Sequence, residues 1–118
     1  MPIQSPYVFT AAMDVEADRE GVFNEVYDTE HVPLLLRVPG VLAVTRLKRE
    51  PLTMVIGGER RTIALEGEPR YTALYELTHP EVLVSDEWAR AVDQGRWPGE
   101  VRPYTRNRRH LLFRRLGR

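Results

Sequence analysis

Tyr7 to Val15 reads YVFTAAMDV, with Tyr7, Phe9, Ala11, Met13 and Val15 alternating against Val8, Thr10, Ala12 and Asp14. A period of two sends these sets to opposite faces of a strand. From Asp18, a residue type that caps helices, the apolar positions shift to Val22, Phe23, Val26 and Tyr27, the stripe of an amphipathic helix. Pro33 has no N–H to give Thr29 and its ring presses on that carbonyl, so the helix is expected to kink or restart between Thr29 and Pro33, with Thr29 capping the second piece. Leu34, Leu35, Leu36 and Val38 then bury, and Pro39-Gly40 ends the helix. Val41 to Arg49 alternates again as a second strand. Between Pro51 and Pro69, TMVI and RTIAL flank Gly57-Gly58 and predict a small hairpin, an excursion from the main sheet. Arg70 to Leu77 is a third strand, with Tyr71, Ala73, Tyr75 and Leu77 on one face. Pro80 and Ser85 mark helix starts, and a short helix runs from Ser85 to Val92 and ends near Gly95. Trp97 to Pro103 reads as an ordered loop, and Thr105 to Leu116 as the last strand.

Strand, helix, strand, strand, helix, strand is the split βαβ plan: an α+β, ferredoxin-like four-stranded antiparallel sheet with both helices on one face. Residues 1–118 suffice for a single domain of this kind. The face bearing Tyr7, Phe9, Met13, Tyr71, Tyr75 and Leu77 is apolar enough to lie under the helices. The other carries Val8, Thr10, Ala12, Asp14, Thr72, Leu74 and Glu76, too apolar in part for ordinary solvated surface. A second sheet from another copy of the chain is its natural cover.

Charge refines this picture. Lysine plus arginine (17) balance aspartate plus glutamate (17), so no global field recruits nucleic acid or an anionic membrane. The charges are segregated, however: seven acids lie between Asp14 and Glu30 against one base, Arg19, while Arg102 to Arg118 carries seven arginines and no acid. That asymmetry predicts two elements that meet. The chain has no cysteine, which excludes disulfides and thiolate chemistry. No stretch approaches the roughly 20 apolar residues of a membrane span, and the N-terminus lacks the pattern of a secretory signal, so cytoplasmic residence is expected.

The strand ending in Asp14-Val15, followed by FNEVYDTEHVPLLLRVPGV and another strand, resembles the dimeric α/β-barrel superfamily and, within it, the EthD-like small proteins. Their first helix commonly ends in an aromatic-Asp-x-x-His-x-Pro pattern before a PGV turn; here these positions are Tyr27, Asp28, His31, Pro33 and Pro39-Gly40-Val41. The resemblance implies homodimers that pack two sheets face to face, with small-molecule pockets between sheet and helices or within the barrel. It also implies a choice among lactone isomerisation, polyketide cyclisation, cofactor-free oxygenation of quinol-like substrates and, in some branches, haem chemistry. Tyr27 stands where the family often has Trp, and the Pro51 to Pro69 excursion is longer than the family pattern.

Among candidate catalytic groups His31 comes first, because an imidazole populates both protonation states near neutrality. It follows Tyr27 by four residues and extends the buried stripe; its bland alternative is a hydrogen bond to a backbone carbonyl freed by Pro33. Asp28 has the spacing to orient one ring nitrogen, or to remain a solvated acid or a partner for the basic last strand. Tyr27 is core, with its hydroxyl at the pocket rim. Arg46, Glu76, Asp14 and Asn107 are candidates to line the sheet face opposite the helices, either as ligand contacts or as an interface ion-pair set. Trp88 and Trp97 flank the second helix and suit stacking on a flat ligand or closing a core edge. His110 shares a strand face with Arg106 and Arg108 and is a further pocket candidate. The arginine-rich strand has one aromatic, Phe113, too few for a nucleic-acid stacking surface. His31, His79 and His110 lie too far apart in sequence for a metal motif, and nothing resembling a phosphate loop follows Gly57-Gly58. The sequence therefore predicts a homodimer that acts, without a tightly bound organic cofactor, on a cyclic, phenolic or carboxylate metabolite. In this reading His31 moves a proton, Asp28 or Tyr27 steers it, and Arg46 holds charge developing on oxygen. The alternatives are a noncatalytic small-molecule binding or assembly protein, or a haem-binding one.

Overall fold

A computed structural model describes residues 3–117. Its main sheet contains β1 (Tyr7–Val15), β2 (Val41–Lys48), β5 (Tyr71–Leu77) and β6 (Thr105–Arg114), all antiparallel in the order β2-β5-β1-β6. This is the expected ferredoxin-like order, with the two strands that follow the helical segments at the edges. β3 (Thr53–Ile56) and β4 (Glu59–Thr62) pair only with each other, so the glycine hairpin is an excursion, as its isolation in sequence predicts. The last strand ends at Arg114, before the expected Leu116.

The first helical segment is continuous where a kink or restart is expected. α1 (Glu20–Val26) passes into a π-helical turn, Tyr27–His31, and then into α2 (Val32–Leu36), with helical dihedrals at both junctions. The Val32 N–H donates to the Tyr27 carbonyl five residues back. The wide turn puts Pro33 at the second position of α2, where a missing donor is harmless. Thr29 is no cap: its hydroxyl donates back to the Glu25 carbonyl at 2.7 Å. Asp18 is no cap either, since a 3-10 turn over Ala17–Arg19 precedes α1. At the helix's end, Gly40 has φ +95°, and a Cβ there would overlap the side chains of Val82 and Thr78, which is why the PGV turn needs glycine.

A 3-10 turn, Pro80–Val84, leads into α3 (Asp86–Ala91), whose N-cap Ser85 accepts from the Trp88 N–H at 3.1 Å. The expected loop after it is helical instead: a second π-helical turn, Trp97–Val101, and a 3-10 turn, Arg102–Tyr104. Phe23, Val26, Leu35, Leu77 and Val101 are almost wholly buried between these segments and the sheet, each worth roughly 1.5–3 kcal/mol of apolar burial.

The opposite sheet face has no helix over it. Leu47, Leu111 and Phe113 are exposed there, beside a groove of about 660 Å³ that also involves Thr10, Ala12 and Thr72. Charge segregation does not bring the acidic helix against the basic strand. The helix pairs with Arg46 (to Asp28), Arg70 (to Glu20) and Arg96 (to Glu25 and Glu30) instead. Arg118 lies outside the described residues.

Candidate functional site

Between the helices and the sheet lies a cavity of about 190 Å³. β1 supplies Phe9, Ala11 and Met13, β5 supplies Tyr75, and β6 supplies Thr105, Arg108 and His110. The first π turn contributes Tyr27 and His31, α2 Leu35, and the segments after Thr78 contribute Trp88, Val92, Trp97 and Arg102.

His31 is 4% exposed. Its ring stacks on Trp97 with centroids 4.1 Å apart and planes 13° apart, and meets Tyr27 edge-on at 5.1 Å. Its Nδ1 is buried without a hydrogen-bond partner among the described residues, so the expected alternative bond to a carbonyl freed by Pro33 is absent. Burial, with the positive charge of Arg102 as a second cause, lowers its pKa from 6.5 to about 4. The ring is therefore neutral at neutral pH. A buried imidazole nitrogen with nothing to bond is costly unless a ligand or water completes it.

Trp97 is held in place by its neighbour. The Arg96 N–H donates to Glu30 Oε1 at 2.9 Å and its Nε to Oε2 at 2.5 Å, while Nη1 pairs with Glu25 at 3.0 Å. The bonds from Arg96, backbone first, lower the Glu30 pKa. Two glutamates of the first helix thus clamp the start of the second π turn and set the indole against His31. Deeper in, the Tyr27 and Tyr75 hydroxyls hydrogen-bond at 2.8 Å. Burial pushes the Tyr27 pKa up to about 12 and raises that of Tyr75 as well, so both stay protonated.

Several predicted site residues gather here and others do not. His31, Tyr27, Trp88, Trp97 and His110 all line the cavity; His110 stacks on Phe9 at 5.8 Å and 6°. Asp28 does not orient His31: it is exposed, and its carboxylate takes a 2.8 Å bond from Arg46. Arg46 does not lie on the face opposite the helices. The β2–β5 register sets it beside Ala73 on the helix-covered face, with its guanidinium 4.5 Å from the Tyr27 ring centroid and bonded to Asn24 and Asp28, outside the cavity. Glu76 and Asn107 do lie on the uncovered face. Glu76 accepts from the Ser5 hydroxyl at 2.8 Å, and Asn107 donates to Asp14 at 3.0 Å and to the Gly67 carbonyl at 3.0 Å. Burial would raise the Asp14 pKa, but the bonds from Asn107 and the Arg70 amide and the charges of Arg106 and Arg49 lower it. Asn107 has φ +54° at a β-bulge that faces β1 between Ala12 and Asp14. That bulge separates Arg106, which pairs in register with Asp14, from Arg108 and His110, which keep to the cavity side.

Arg102 and Arg108 are the charged cavity residues that sequence reasoning did not single out as ligand contacts. Arg102 donates to the Val92 carbonyl at 2.6 Å and pairs with Asp93 at 2.9 Å. Its place follows from the second π turn, which has no clear sequence signal. Arg108 follows from strand alternation with His110 once the bulge is known.

Fold and site together define a ferredoxin-like α+β protein with an aromatic-walled cavity beneath its helices. No family model and no curated protein matches the sequence. Solved structures do share its fold. SnoaB, a cofactor-independent oxygenase from Streptomyces nogalater, solved as a single-substitution mutant, is 17% identical, with 95% of this chain and 94% of that one covered and a TM-score of 0.57. The haem degrader MhuD from Mycobacterium tuberculosis, with two haems bound in its active site, is 16% identical over 96% and 98%, with a TM-score of 0.63. An EthD family protein from Bacillus halodurans C-125 is 13% identical over 93% and 99%, with a TM-score of 0.56. The resemblance read from the FNEVYDTEHVP segment is thus met at the level of fold.

The cavity is small beside haem: a void of roughly 150 Å³ takes one benzene ring, and these 190 Å³ match one substituted ring better than four linked pyrroles. Among the described residues no three His, Cys, Asp or Glu side chains are grouped to hold a metal ion, and no helix is long and apolar enough to cross a membrane.

Proposed function

We propose that this protein binds a cyclic, phenolic or carboxylate metabolite of about one ring in the cavity beneath its helices, and converts it by a reaction in which His31 exchanges a proton. The observation that carries this reading is the buried imidazole whose Nδ1 lacks a partner, in a cavity walled by Tyr27, Tyr75, Trp88 and Trp97. A neutral imidazole accepts a hydrogen bond from a ligand hydroxyl. Its low proton affinity rises when negative charge develops on the ligand beside it, which couples proton uptake to the reaction. The Tyr27–Tyr75 hydroxyl pair supplies a fixed dipole near the same space. A cofactor-independent oxygenase, SnoaB, has the same fold, and isomerase, cyclase and oxygenase are the classes to test.

Turnover of a panel of quinols, lactones and polyketide-like phenols tests the reading. His31→Gln is expected to cut turnover of the active compound by about 100-fold or more with little change in thermal midpoint. Wild-type turnover in this variant would refute it. A second reading, binding without conversion, is favoured by one observation: Asp28 is engaged with Arg46, so His31 lacks the carboxylate that commonly orients a catalytic imidazole. Under that reading a ligand is bound but never consumed, and His31→Gln weakens binding alone.

Homodimer formation belongs to the same proposal. A second copy would cover the open sheet face, where Leu47, Leu111 and Phe113 are exposed, and engage the hairpin, on which Met54, Val55 and Ile56 are exposed in sequence.

A further inference from the structure

Among the described residues, the cavity wall contains two arginines, two histidines and no carboxylate. Arg102 is already fixed by the Val92 carbonyl and Asp93. Arg108 is different: it lines the cavity, is exposed on its solvent side, and makes no ion pair or hydrogen bond among the described residues. The guanidinium groups that brace the helical layer are engaged, Arg46 with Asp28 and Arg96 with Glu25 and Glu30, and neither lines the cavity. An unengaged guanidinium at the edge of an aromatic chamber is suited to a planar anion, which it grips with two parallel N–H donors.

His31, whose Nδ1 is unpaired among the described residues, lines the same cavity from the helical layer, whereas Arg108 stands on β6. The two lie on different elements of one cavity whose volume admits a single substituted ring. We propose that the ligand is an aromatic carboxylate bearing a ring hydroxyl, its carboxylate held by Arg108 and its hydroxyl directed to His31. This rests on the ring-binding reading above and narrows it to one class of compound. The absence of acids from the wall fits an anion and disfavours an amine, and the positive charge of Arg102 acts in the same direction.

Both tryptophans of the chain line the cavity, so intrinsic fluorescence reports its occupancy. The experiment is a fluorescence titration of the full-length protein at neutral pH with 4-hydroxybenzoate and with phenol, for wild type, Arg108→Gln and Arg108→Lys. Wild type is expected to bind 4-hydroxybenzoate about 10- to 100-fold more tightly than phenol, the size of one charge-assisted contact. Arg108→Gln should erase most of that preference and leave phenol binding unchanged; Arg108→Lys should restore part of it. Because Arg108 is exposed and unpaired, its replacement should not move the thermal midpoint. Equal affinity of wild type for the two compounds, or a preference that survives Arg108→Gln, overturns the carboxylate assignment while leaving ring binding intact. Binding of neither compound overturns the assignment and the ring-binding reading together.

Discussion

His31 shows how one residue takes its chemistry from what surrounds it. Its place on the buried stripe after Tyr27 is readable from spacing, but its protonation state comes from Trp97, Arg102 and exclusion of water. The folded-state pKa of about 4 lies below the ordinary 6.5. Above 6.5 the ring is neutral whether the chain is folded or not. Below it, the unfolded chain takes up a proton that the folded one refuses, so the stability linked to His31 is full above pH 6.5 and is lost as pH falls towards 4. The loss is about 3 kcal/mol. Urea unfolding at pH 7 and pH 4.5 should therefore show a steeper drop for wild type than for His31→Gln. Equal drops would mean that the imidazole is not held neutral by burial. Asp28 gives the opposite lesson: three residues' separation allows contact with His31, yet Arg46 from β2 takes the carboxylate, a competitor that sequence spacing cannot reveal.

At the scale of elements, strands were readable and irregular helices were not. Alternation in YVFTAAMDV gives β1 to the residue, because side-chain direction in a strand depends on neighbouring positions alone. Pro33 gives correct warning that the helix is disturbed, but whether the disturbance is a break or a wide turn is decided by packing, which here favours the π turn that buries Tyr27 and His31 together. The second π turn, over WPGEV, is invisible in the same way, since the clamp that secures it is Glu30 on Arg96, 66 residues apart. Ser85 is the counterexample: a local cap with a local signature, bonded to the Trp88 N–H. Ser85→Ala should lower stability by about 1 kcal/mol. The measurable sign is a lower denaturant midpoint at unchanged slope; an unchanged midpoint would show that the cap contributes nothing to α3, the helix that carries Trp88.

For the molecule as a whole, the open sheet face and the isolated hairpin dominate. Principal extents of 49 × 42 × 21 Å describe a slab, one broad side of which has no helical cover. If two copies meet there, sedimentation at micromolar concentration should give twice the 13.7 kDa of the chain, and Phe113→Asp should return it to one copy without unfolding it. A wild-type chain that sediments as one copy would refute the proposed dimer. The order of elements, the two faces of each inner strand and the hairpin's separation are all legible in the linear chain, because period-two and helical patterns record local backbone geometry against a single inside. Folding in three dimensions was needed to put Arg46 on the helix side, to part Arg106 from Arg108 at the Asn107 bulge, and to bring Arg102 towards His31. Each of those outcomes depends on register across strands or on a turn fixed by a distant side chain, and a linear pattern carries no term for either.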